Sequence, residues 1–323
     1  MPHRVLSRFL AGTLLLGLIA TPILPAHAVK IRSGLPWASG VNKPADEFGR
    51  WRGRPIDFRT VFFGKTSWEH MRNSANGGPG HQAVVGLGML PYTHAGRLAQ
   101  CGQGAFDAQI RAIRDNMLNK GWKGSYLRLG WEANRVPGSP GKAFPWAAQG
   151  DGTTWKACFR RWVGILNPGV KNFFIVWNMA NAGTFPHKIE KLWPGNDVVD
   201  VVGTQFYDRC PPITSSAEFQ RRINARDRRG NPAGPKSWMD WAKARGKKWA
   251  MPEWGIGGSK TICKQHGFDN AFFMREMFNF LKANAGNVSF ESYFNGADSH
   301  TGTHALYPTV HNPKAAAAYQ RLW

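Results

Sequence analysis

Acidic residues are scarce in this chain. Its 323 residues contain 20 Asp and Glu against 42 Lys and Arg, which gives a formal net charge of +22 at pH 7. Such an excess of positive charge attracts polyanions over long distances. The basic residues are scattered, however, and no nucleic-acid-binding motif accompanies them. The composition therefore argues against nucleic acid as a partner.

Cysteine is scarce too, with four residues at positions 101, 158, 210 and 263. No CxxC spacing occurs, and this spacing is typical of many metal sites. We therefore expect no metal and no cofactor. Four cysteines allow three disulfide pairings, and the sequence spacing alone does not choose among them.

Long apolar runs are absent beyond the N-terminus. Arg4 and Arg8 precede an apolar run over 9–20 and an Ala-His-Ala end, which together predict a secretory signal peptide over 1–28. The run is shorter than the roughly 20 residues that span a bilayer, so an uncleaved anchor is the weaker alternative. We expect a secreted monomer, extracellular or periplasmic, without a transmembrane segment. Outside the cell or in the periplasm, the net positive charge would attract an acidic polysaccharide or an anionic envelope surface. Alternatively, it would keep the protein soluble in an acidic medium.

No repeat, low-complexity tract or linker divides residues 29–323, which are long enough for one barrel of roughly 250 residues. Short apolar runs rich in β-branched residues alternate with helix-like patterns. Near-continuous apolar strands are typical of a parallel sheet that is covered on both faces. The predicted strands are 31–38, 56–63, 83–90, 125–134, 172–180, 198–207, 248–255 and 288–295.

Helical patterns lie between several of these strands. The alternation predicts βα units, and eight units in one domain predict a single closed (β/α)8 TIM barrel of the α/β class. An open doubly wound sheet is the alternative, but no Gly-rich phosphate loop follows the first strand. The predicted helices are 106–118, 155–166 after a Thr153-Thr154 cap, 237–245, 269–283, and 313–322 after an Asn312 cap.

Glu132 and Glu253 end the fourth and seventh predicted strands, and they are two of only eight Glu in the chain. In a barrel of this type the active site lies at the C-terminal ends of the strands. A Glu that ends an apolar strand is costly unless it is paired or used. Hydrolysis of a glycoside needs two carboxylates, one acid and one nucleophile or base. The pattern therefore predicts a catalytic pair, and the 15 Trp could supply flat rings for stacking on sugars.

These residues lie in motifs that resemble glycoside hydrolase family 26. The stretch 128–134, with Phe144-Pro145-Trp146 beyond it, is similar to the acid/base strand and loop of that family. Trp177-Asn178, the stretch 202–207 and Pro252-Glu253-Trp254-Gly255 resemble its later strand ends, in the same order over nearly the whole of residues 29–323. The family belongs to a clan of retaining barrels with catalytic Glu on strands four and seven, and its known members cleave β-mannans, mixed-linkage β-glucans and some β-xylans.

The resemblance implies a role for each matching residue. Glu132 would be the acid/base and Glu253 the nucleophile, while Tyr207 would donate a hydrogen bond to the nucleophile. Arg128 would help to keep the carboxylates charged. The other residues expected to bind substrate at the barrel mouth are Trp131, Asn134, Trp146, Trp177, Trp254 and Tyr293.

The chain departs from the family pattern beside the acid/base. Trp131 stands where the family has His before this Glu, and Arg135 stands where a Gly is common. The Trp would add stacking, and the Arg could contact an acidic sugar. We therefore expect an endo-acting hydrolase of a β-mannan, a β-glucan or an exopolysaccharide. The alternatives are an inactive barrel that binds carbohydrate or assembles polysaccharide, and a basic envelope protein bound to an anionic polymer.

The strand positions suggest how the cysteines pair. Cys210 and Cys263 follow the sixth and seventh predicted strands, so they would lie in neighbouring loops on one face of the barrel. Cys101 and Cys158 lie near consecutive helices. We therefore predict the disulfides Cys101–Cys158 and Cys210–Cys263.

Overall fold

The computed structural model describes residue 1 and residues 29–136, 143–209, 211–257, 269–298, 302–308 and 312–323. Residues 2–28 of the predicted signal peptide and both cysteines of the predicted Cys210–Cys263 bridge lie outside these residues. Within the described part of the chain, no helix is both long and apolar enough to cross a bilayer.

Eight parallel strands form a closed barrel in sequence order, so the predicted (β/α)8 architecture is confirmed. Closure comes from β1 pairing with both β2 and β8. The strands are β1 Ala38–Val41, β2 Phe58–Phe62, β3 Ala83–Leu87, β4 Tyr126–Leu129, β5 Phe174–Met179, β6 Val201–Asp208, β7 Lys248–Ile256 and β8 Val288–Tyr293. A short antiparallel pair, β9 Ala297–Asp298 and β10 Gly302–Thr303, follows the barrel.

Helices cover the outside of the barrel. They are α1 Ala45–Arg52, α2 Trp68–Asn73, α3 Leu98–Gly102, α4 Asp107–Asn119, α5 Thr153–Leu166, α6 Ser216–Ile223, α7 Pro235–Lys243, α8 Ala271–Ala283 and α9 Pro313–Leu322. Between β5 and β6 the chain forms a single 3₁₀ turn, Ile189–Leu192. The five predicted helices correspond to α4, α5, α7, α8 and α9, whereas α1, α2, α3 and α6 lack a prediction because each is too short to show a clear period.

One of the two predicted helix caps differs in the structure, and acidic side chains contribute at both helix N-termini. Gly152 rather than a Thr precedes α5, and the carboxylate of Asp151 accepts from the backbone N–H and the hydroxyl of Thr153. At α9 the predicted N-cap Asn312 is confirmed, and Asp269 in addition accepts from the first-turn amides of Lys314 and Ala315. A carboxylate at a helix N-terminus satisfies free N–H groups and interacts favourably with the helix dipole.

The first strand lies later in the chain than predicted. Residues 31–37 form a bend instead, because Gly34 has φ +76° and Pro36 lacks an N–H group for a sheet. The carboxylate of Asp57 holds the bend by accepting from the backbone of Ser33 and from the Ser33 hydroxyl, and also from the backbone of Ser39. The barrel therefore begins at Ala38.

Side chains fill the inside of the barrel in layers. One apolar side chain from each strand forms the lower layer: Ala38, Phe58, Val84, Tyr126, Val176, Val201, Ala250 and Phe290. Polar side chains lie above it, beginning with a 2.7 Å hydrogen bond between the hydroxyls of Thr60 and Ser292. The apolar bottom and polar top place any chemistry at the C-terminal ends of the strands, as is usual for this fold.

Candidate active site

Glu132 lies in the turn after β4 rather than in a strand. Gly130 and Glu132 both have positive φ, +54° and +55°, and this backbone ends the strand at Leu129. The amide of Glu132 donates to the carbonyl of Asn178 on β5 at 2.8 Å, which ties the turn to the neighbouring strand. The turn directs the Glu132 carboxylate into the barrel mouth, where it accepts from Gln205 of β6.

Glu253 reaches the same mouth through an irregularity in β7. Ala250 pairs with Gly203 and Glu253 pairs with Gln205, so three steps on β7 oppose two on β6. Such a bulge reverses which face of the strand the following side chains occupy. Because Ala250 points into the barrel, regular alternation would direct Glu253 outward. The bulge instead turns Glu253 inward and Trp254 outward.

Two donors orient the carboxylate of Glu253. The Tyr207 hydroxyl on β6 donates to Oε1 at 2.7 Å, and Nη2 of Arg128 on β4 lies 3.1 Å from Oε2. Burial raises the pKa of Tyr207 well above its ordinary value, and the Glu253 charge raises it further. Tyr207 therefore keeps its proton and acts as a donor.

Arg128 is fully buried below the carboxylates. Its Nε donates to Oδ1 of Asn178 at 2.6 Å, and its guanidinium lies 5.3 Å from the ring centroid of Phe62. Its Nη1 has no partner among the described residues. Arg128 is thus a fixed cation, positioned by β5 and in contact with β7.

Glu132 differs from Glu253 in its surroundings. Burial raises the pKa of Glu132, and the nearby Glu253 charge raises it further. Arg135, whose Nη1 lies 2.9 Å from Glu132 Oε2, opposes this shift. The two carboxyl groups thus have different environments, one buried beside a like charge and the other held between a cation and a hydroxyl.

Trp131 lies beside the residues around the two carboxylates, and Trp146 packs against Trp131. The Trp131 ring lies 5.8 Å from Phe62 and 4.6 Å from Trp146, measured between centroids. Trp146 is fully buried, donates to the Trp131 carbonyl at 2.9 Å, and packs beside Gly88, where a Cβ would fall 2.3 Å from its ring. Trp146 therefore fixes the wall of the mouth without being exposed to it.

Two predicted substrate-binding Trp residues lie between the barrel and the helices. The Trp177 ring stacks on Trp241 at 5.0 Å and its indole N–H donates to the Leu192 carbonyl. Trp254 packs on Trp323 at 5.1 Å and donates to Glu291 at 2.5 Å. Both are fully buried, so the structure does not bring them to the mouth. Their strand neighbours Asn178 and Glu253 point inward, and adjacent side chains on a strand point to opposite faces.

Asn134 and Tyr293 are also buried away from the cluster. The side-chain amide of Asn134 makes two hydrogen bonds to the backbone of Ala180: it accepts from the Ala180 N–H at 2.7 Å and donates to the Ala180 carbonyl at 2.9 Å. The Tyr293 hydroxyl donates to the carbonyl of His304 at 2.7 Å, and its ring packs on Tyr319. These two side chains hold the loops around the mouth.

Four residues at the mouth are not among the predicted site residues. Phe62 ends β2 with 40% of its surface exposed, and Phe294 follows β8 at 6.5 Å from it between ring centroids. Gln205 contacts Glu132. Burial lowers the pKa of Lys65, and the nearby charges of Glu132 and Glu253 oppose this shift. Gln205 and Phe294 lie at predicted strand ends but have no predicted role, and the same position would have identified Phe62. Lys65 lies three residues beyond β2, so only the loop conformation places it.

The barrel is similar to solved structures of glycoside hydrolases. GH26C from Muricauda sp. MAR_2010_75 shares 14% identity, with a TM-score of 0.62 over 88% of this chain and 84% of that one. A GH26 β-mannanase from Bacteroides ovatus shares 14%, with a TM-score of 0.55 over 88% and 85%. An endo-β-1,4-mannanase from Cellulomonas fimi shares 20%, with a TM-score of 0.52 over 78% of this chain and 56% of that one.

Sequence comparison adds no relative to these. No protein-family model matches the chain, and no curated protein matches it. Identities of 14–20% show a common fold rather than a common substrate. The resemblance that the sequence motifs predict is therefore confirmed for the fold alone: the chain is a (β/α)8 barrel similar in fold to solved GH26 structures.

Proposed function

We propose that the chain is a secreted, retaining glycoside hydrolase that cleaves a β-linked polysaccharide at internal bonds. The observation that carries the proposal is the cluster at the mouth, in which the Glu253 charge adds to burial in raising the pKa of Glu132 and each carboxylate has its own Arg partner. Such a pair, on strand ends four and seven, matches what hydrolysis of a glycosidic bond requires. The N-terminal pattern of residues 1–28 supports secretion.

Glu132 is the general acid in this proposal. Its raised pKa keeps a proton on the carboxyl group at higher pH than an exposed Glu would, as acid catalysis requires. The proton passes to the glycosidic oxygen as the bond to the leaving sugar breaks. In the second half-reaction the same carboxylate takes a proton from the attacking water.

Glu253 is the nucleophile. Arg128 and Tyr207 hold its two oxygens, so the carboxylate keeps one orientation toward the anomeric carbon. Attack forms a covalent glycosyl-enzyme intermediate, and water then releases the sugar with its original anomeric configuration.

The substrate class is proposed from the neighbouring structures and from the mouth itself. The Bacteroides ovatus and Cellulomonas fimi proteins of similar fold are mannanases, which makes β-1,4-mannan the first neutral polymer to test. The open rings of Phe62 and Phe294 could stack on sugar faces. Endo action is the expectation for a polymer bound across such a mouth.

The decisive experiment compares Glu253→Gln with wild type on a panel of mannans, β-glucans and acidic polysaccharides. We expect wild type to release reducing ends and Glu253→Gln to lose nearly all turnover while its circular dichroism and melting temperature stay unchanged. Glu47→Gln, at an exposed Glu of α1, is the matched control and should keep full activity. Binding of polymer by wild type without new reducing ends would instead support an inactive carbohydrate-binding barrel.

The roles of the two carboxylates separate in a second experiment. Glu132→Ala should slow cleavage of natural polysaccharide far more than cleavage of an activated aryl glycoside, because an activated leaving group needs no proton. Equal losses on both substrates would contradict the assignment of Glu132 as the acid. Proton NMR of the first product formed would test retention, since an inverted anomer would contradict Glu253 as a nucleophile.

A further inference from the structure

Lys65 is a half-buried cation at the mouth that the catalytic cycle above does not use. It lies in the loop between β2 and α2, with its Nζ 5.7 Å from the ring centroid of Trp131 and 5.0 Å from that of Phe144. Burial lowers its pKa, and the charges of Glu132 and Glu253 act in the opposite direction. The ammonium therefore lies beside an aromatic wall and within the electrostatic influence of the two carboxylates.

The charges in the cluster do not balance. Arg128 pairs with Glu253 and Arg135 pairs with Glu132, so each carboxylate already has a cation of its own. Within the described residues, Lys65 makes no ion pair and its Nζ donates no hydrogen bond. Three cations therefore face two carboxylates, and the excess grows when Glu132 carries the proton that an acid catalyst needs.

An unpaired cation that is partly removed from water is costly, so an arriving anion would offset part of that cost. A neutral sugar offers hydroxyls but no charge to balance the cluster. Arg209 adds a further cation at the mouth, 5.6 Å from the ring centroid of Tyr207. The local excess also has the same sign as the charge of the whole chain.

We propose that Lys65 is a specificity-determining residue that binds the carboxylate of an acidic sugar, so that the substrate is a β-linked polysaccharide containing uronate units. This inference rests on the proposed function and deepens it. A carboxylate is the partner because its oxygens can accept directly from the ammonium in a charge-assisted hydrogen bond. The same carboxylate would lie within the field of Arg135 at the edge of the mouth.

A matched pair of ligands tests the proposal: β-1,4-linked glucomannan oligosaccharides, and the same oligosaccharides oxidised at C6 to uronates. Binding is measured calorimetrically in a Glu253→Gln background, so that turnover does not disturb it, and rates are measured with the unmodified active site. Lys65→Met removes the charge at similar length, and Lys65→Arg restores it. Lys282→Met, at an exposed Lys in the last turn of α8, removes a charge far from the mouth as the control.

We expect the oxidised ligand to bind more tightly than the neutral one. Lys65→Met should weaken its binding by about tenfold to a hundredfold, as for loss of a hydrogen bond between charged groups. Binding of the neutral ligand should change by less than about threefold, Lys65→Arg should recover most of the loss, and Lys282→Met should change neither.

Two results would overturn the inference: no preference for the uronate ligand, or equal weakening of both ligands by Lys65→Met. Equal weakening would assign Lys65 a structural role in the wall. These results are independent of turnover, so they leave the proposed function standing if wild type still cleaves a neutral glycan. Failure of wild type to cleave any glycan would instead refute the hydrolase, whatever the binding shows.

Discussion

At the scale of single residues, Glu132 has a strained backbone conformation that the other non-glycine residues of the described structure do not adopt. Among the non-glycine residues described, Glu132 is the one with positive φ. A non-glycine residue in a sparsely populated backbone region costs of the order of 1–3 kcal/mol, and such strain clusters at active sites. Here the hydrogen bond to Asn178 maintains the turn, and the result is a carboxylate aimed at the mouth from outside the strand.

Arg135 sets the pH range over which Glu132 can act. Burial, and then the Glu253 charge, raises the pKa of Glu132, while the Arg135 charge opposes this shift. We expect Arg135→Gln to raise that pKa further, so the alkaline limb of kcat/KM, which reports the essential acid, should move to higher pH. The measurement is a pH–rate profile on a neutral glycan.

Arg221→Gln provides the control for this profile, because Arg221 is an exposed residue of α6 that pairs with Glu218 away from the barrel mouth. Its profile should overlay that of wild type. An alkaline limb that stays in place in Arg135→Gln would show that a group other than Glu132 supplies the proton.

At the scale of elements, one disulfide joins the layers outside β3 and β4. Cys101 of α3 and Cys158 of α5 are bonded, with Cα atoms 5.0 Å apart and a sequence separation of 57, so this predicted pairing is confirmed. Cys101 lies in the short helix α3, which precedes the predicted helix α4. The bridge fixes two helices whose preceding strands lead into the loops of the mouth.

Removing this bridge should lower stability without changing the site. A bridge that closes a loop of this length restricts the unfolded chain, and it is worth about 2–4 kcal/mol. The variant Cys101→Ala/Cys158→Ala should therefore unfold at lower urea concentration with kcat nearly unchanged at 25 °C. Both sulfurs are buried, so a reductant should reach them only after unfolding. Coincident urea curves for variant and wild type would contradict the prediction.

Asp208 couples β6 to α8 through a buried carboxyl group. Its oxygens accept from the amide of Ile213 at 2.8 Å and from Asn270, the N-cap of α8, at 2.6 Å. Burial outweighs these hydrogen bonds and raises the pKa of Asp208 to about 6. The folded state therefore favours the protonated acid, and its stabilising contribution is complete below the ordinary Asp value near 4 and lost as pH rises through about 6.

The pH dependence of stability should reveal this coupling. The unfolding free energy of wild type minus that of Asp208→Asn should fall by up to about 3 kcal/mol between pH 4 and pH 7. The pKa of Asp208 in the folded protein is about 6 against an ordinary value near 4, and each pKa unit of difference corresponds to about 1.4 kcal/mol. Urea unfolding at several pH values measures the difference, which cancels the titration of other groups. A constant difference would show that Asp208 titrates normally in the folded protein.

At the scale of the whole molecule, the excess of basic residues should act independently of catalysis. A net charge of +22 attracts anionic polymers, and salt screens this attraction as the Debye length falls from about 10 Å at 0.1 M to about 3 Å at 1 M. We expect retention on an anionic polysaccharide matrix to be lost over that range, equally for wild type and Glu253→Gln. Salt-resistant retention that depends on Glu253 would place the attraction in the site instead.

Packing accounts for most of the tryptophan in the molecule. Ten of the 15 Trp are almost completely buried, and several donate their indole N–H to buried acceptors. Trp37, Trp254 and Trp323 all direct their indole N–H to the carboxyl group of Glu291, a fully buried acid between β8 and α9. The surplus of aromatic residues thus builds the layer between barrel and helices more than it builds sugar subsites.

The sequence by itself determined the barrel and the identity of its two acidic strand-end residues. A strand made of a continuous apolar run must be covered on both faces. The alternation of such strands with amphipathic helices therefore already implies a parallel sheet with covering helices. Glu132 and Glu253 were visible because a carboxyl group at the end of such a run is costly without a partner.

Only the tertiary structure decided which side chains share the mouth. The bulge in β7 turns Glu253 inward and sends Trp254 to the helices, and a bulge depends on pairing with β6 rather than on the composition of β7. Lys65 joins the carboxylates through the path of a loop. The face of the strand that a side chain occupies and the path that a loop follows both depend on contacts between residues distant in sequence. These contacts exist only once the barrel has closed.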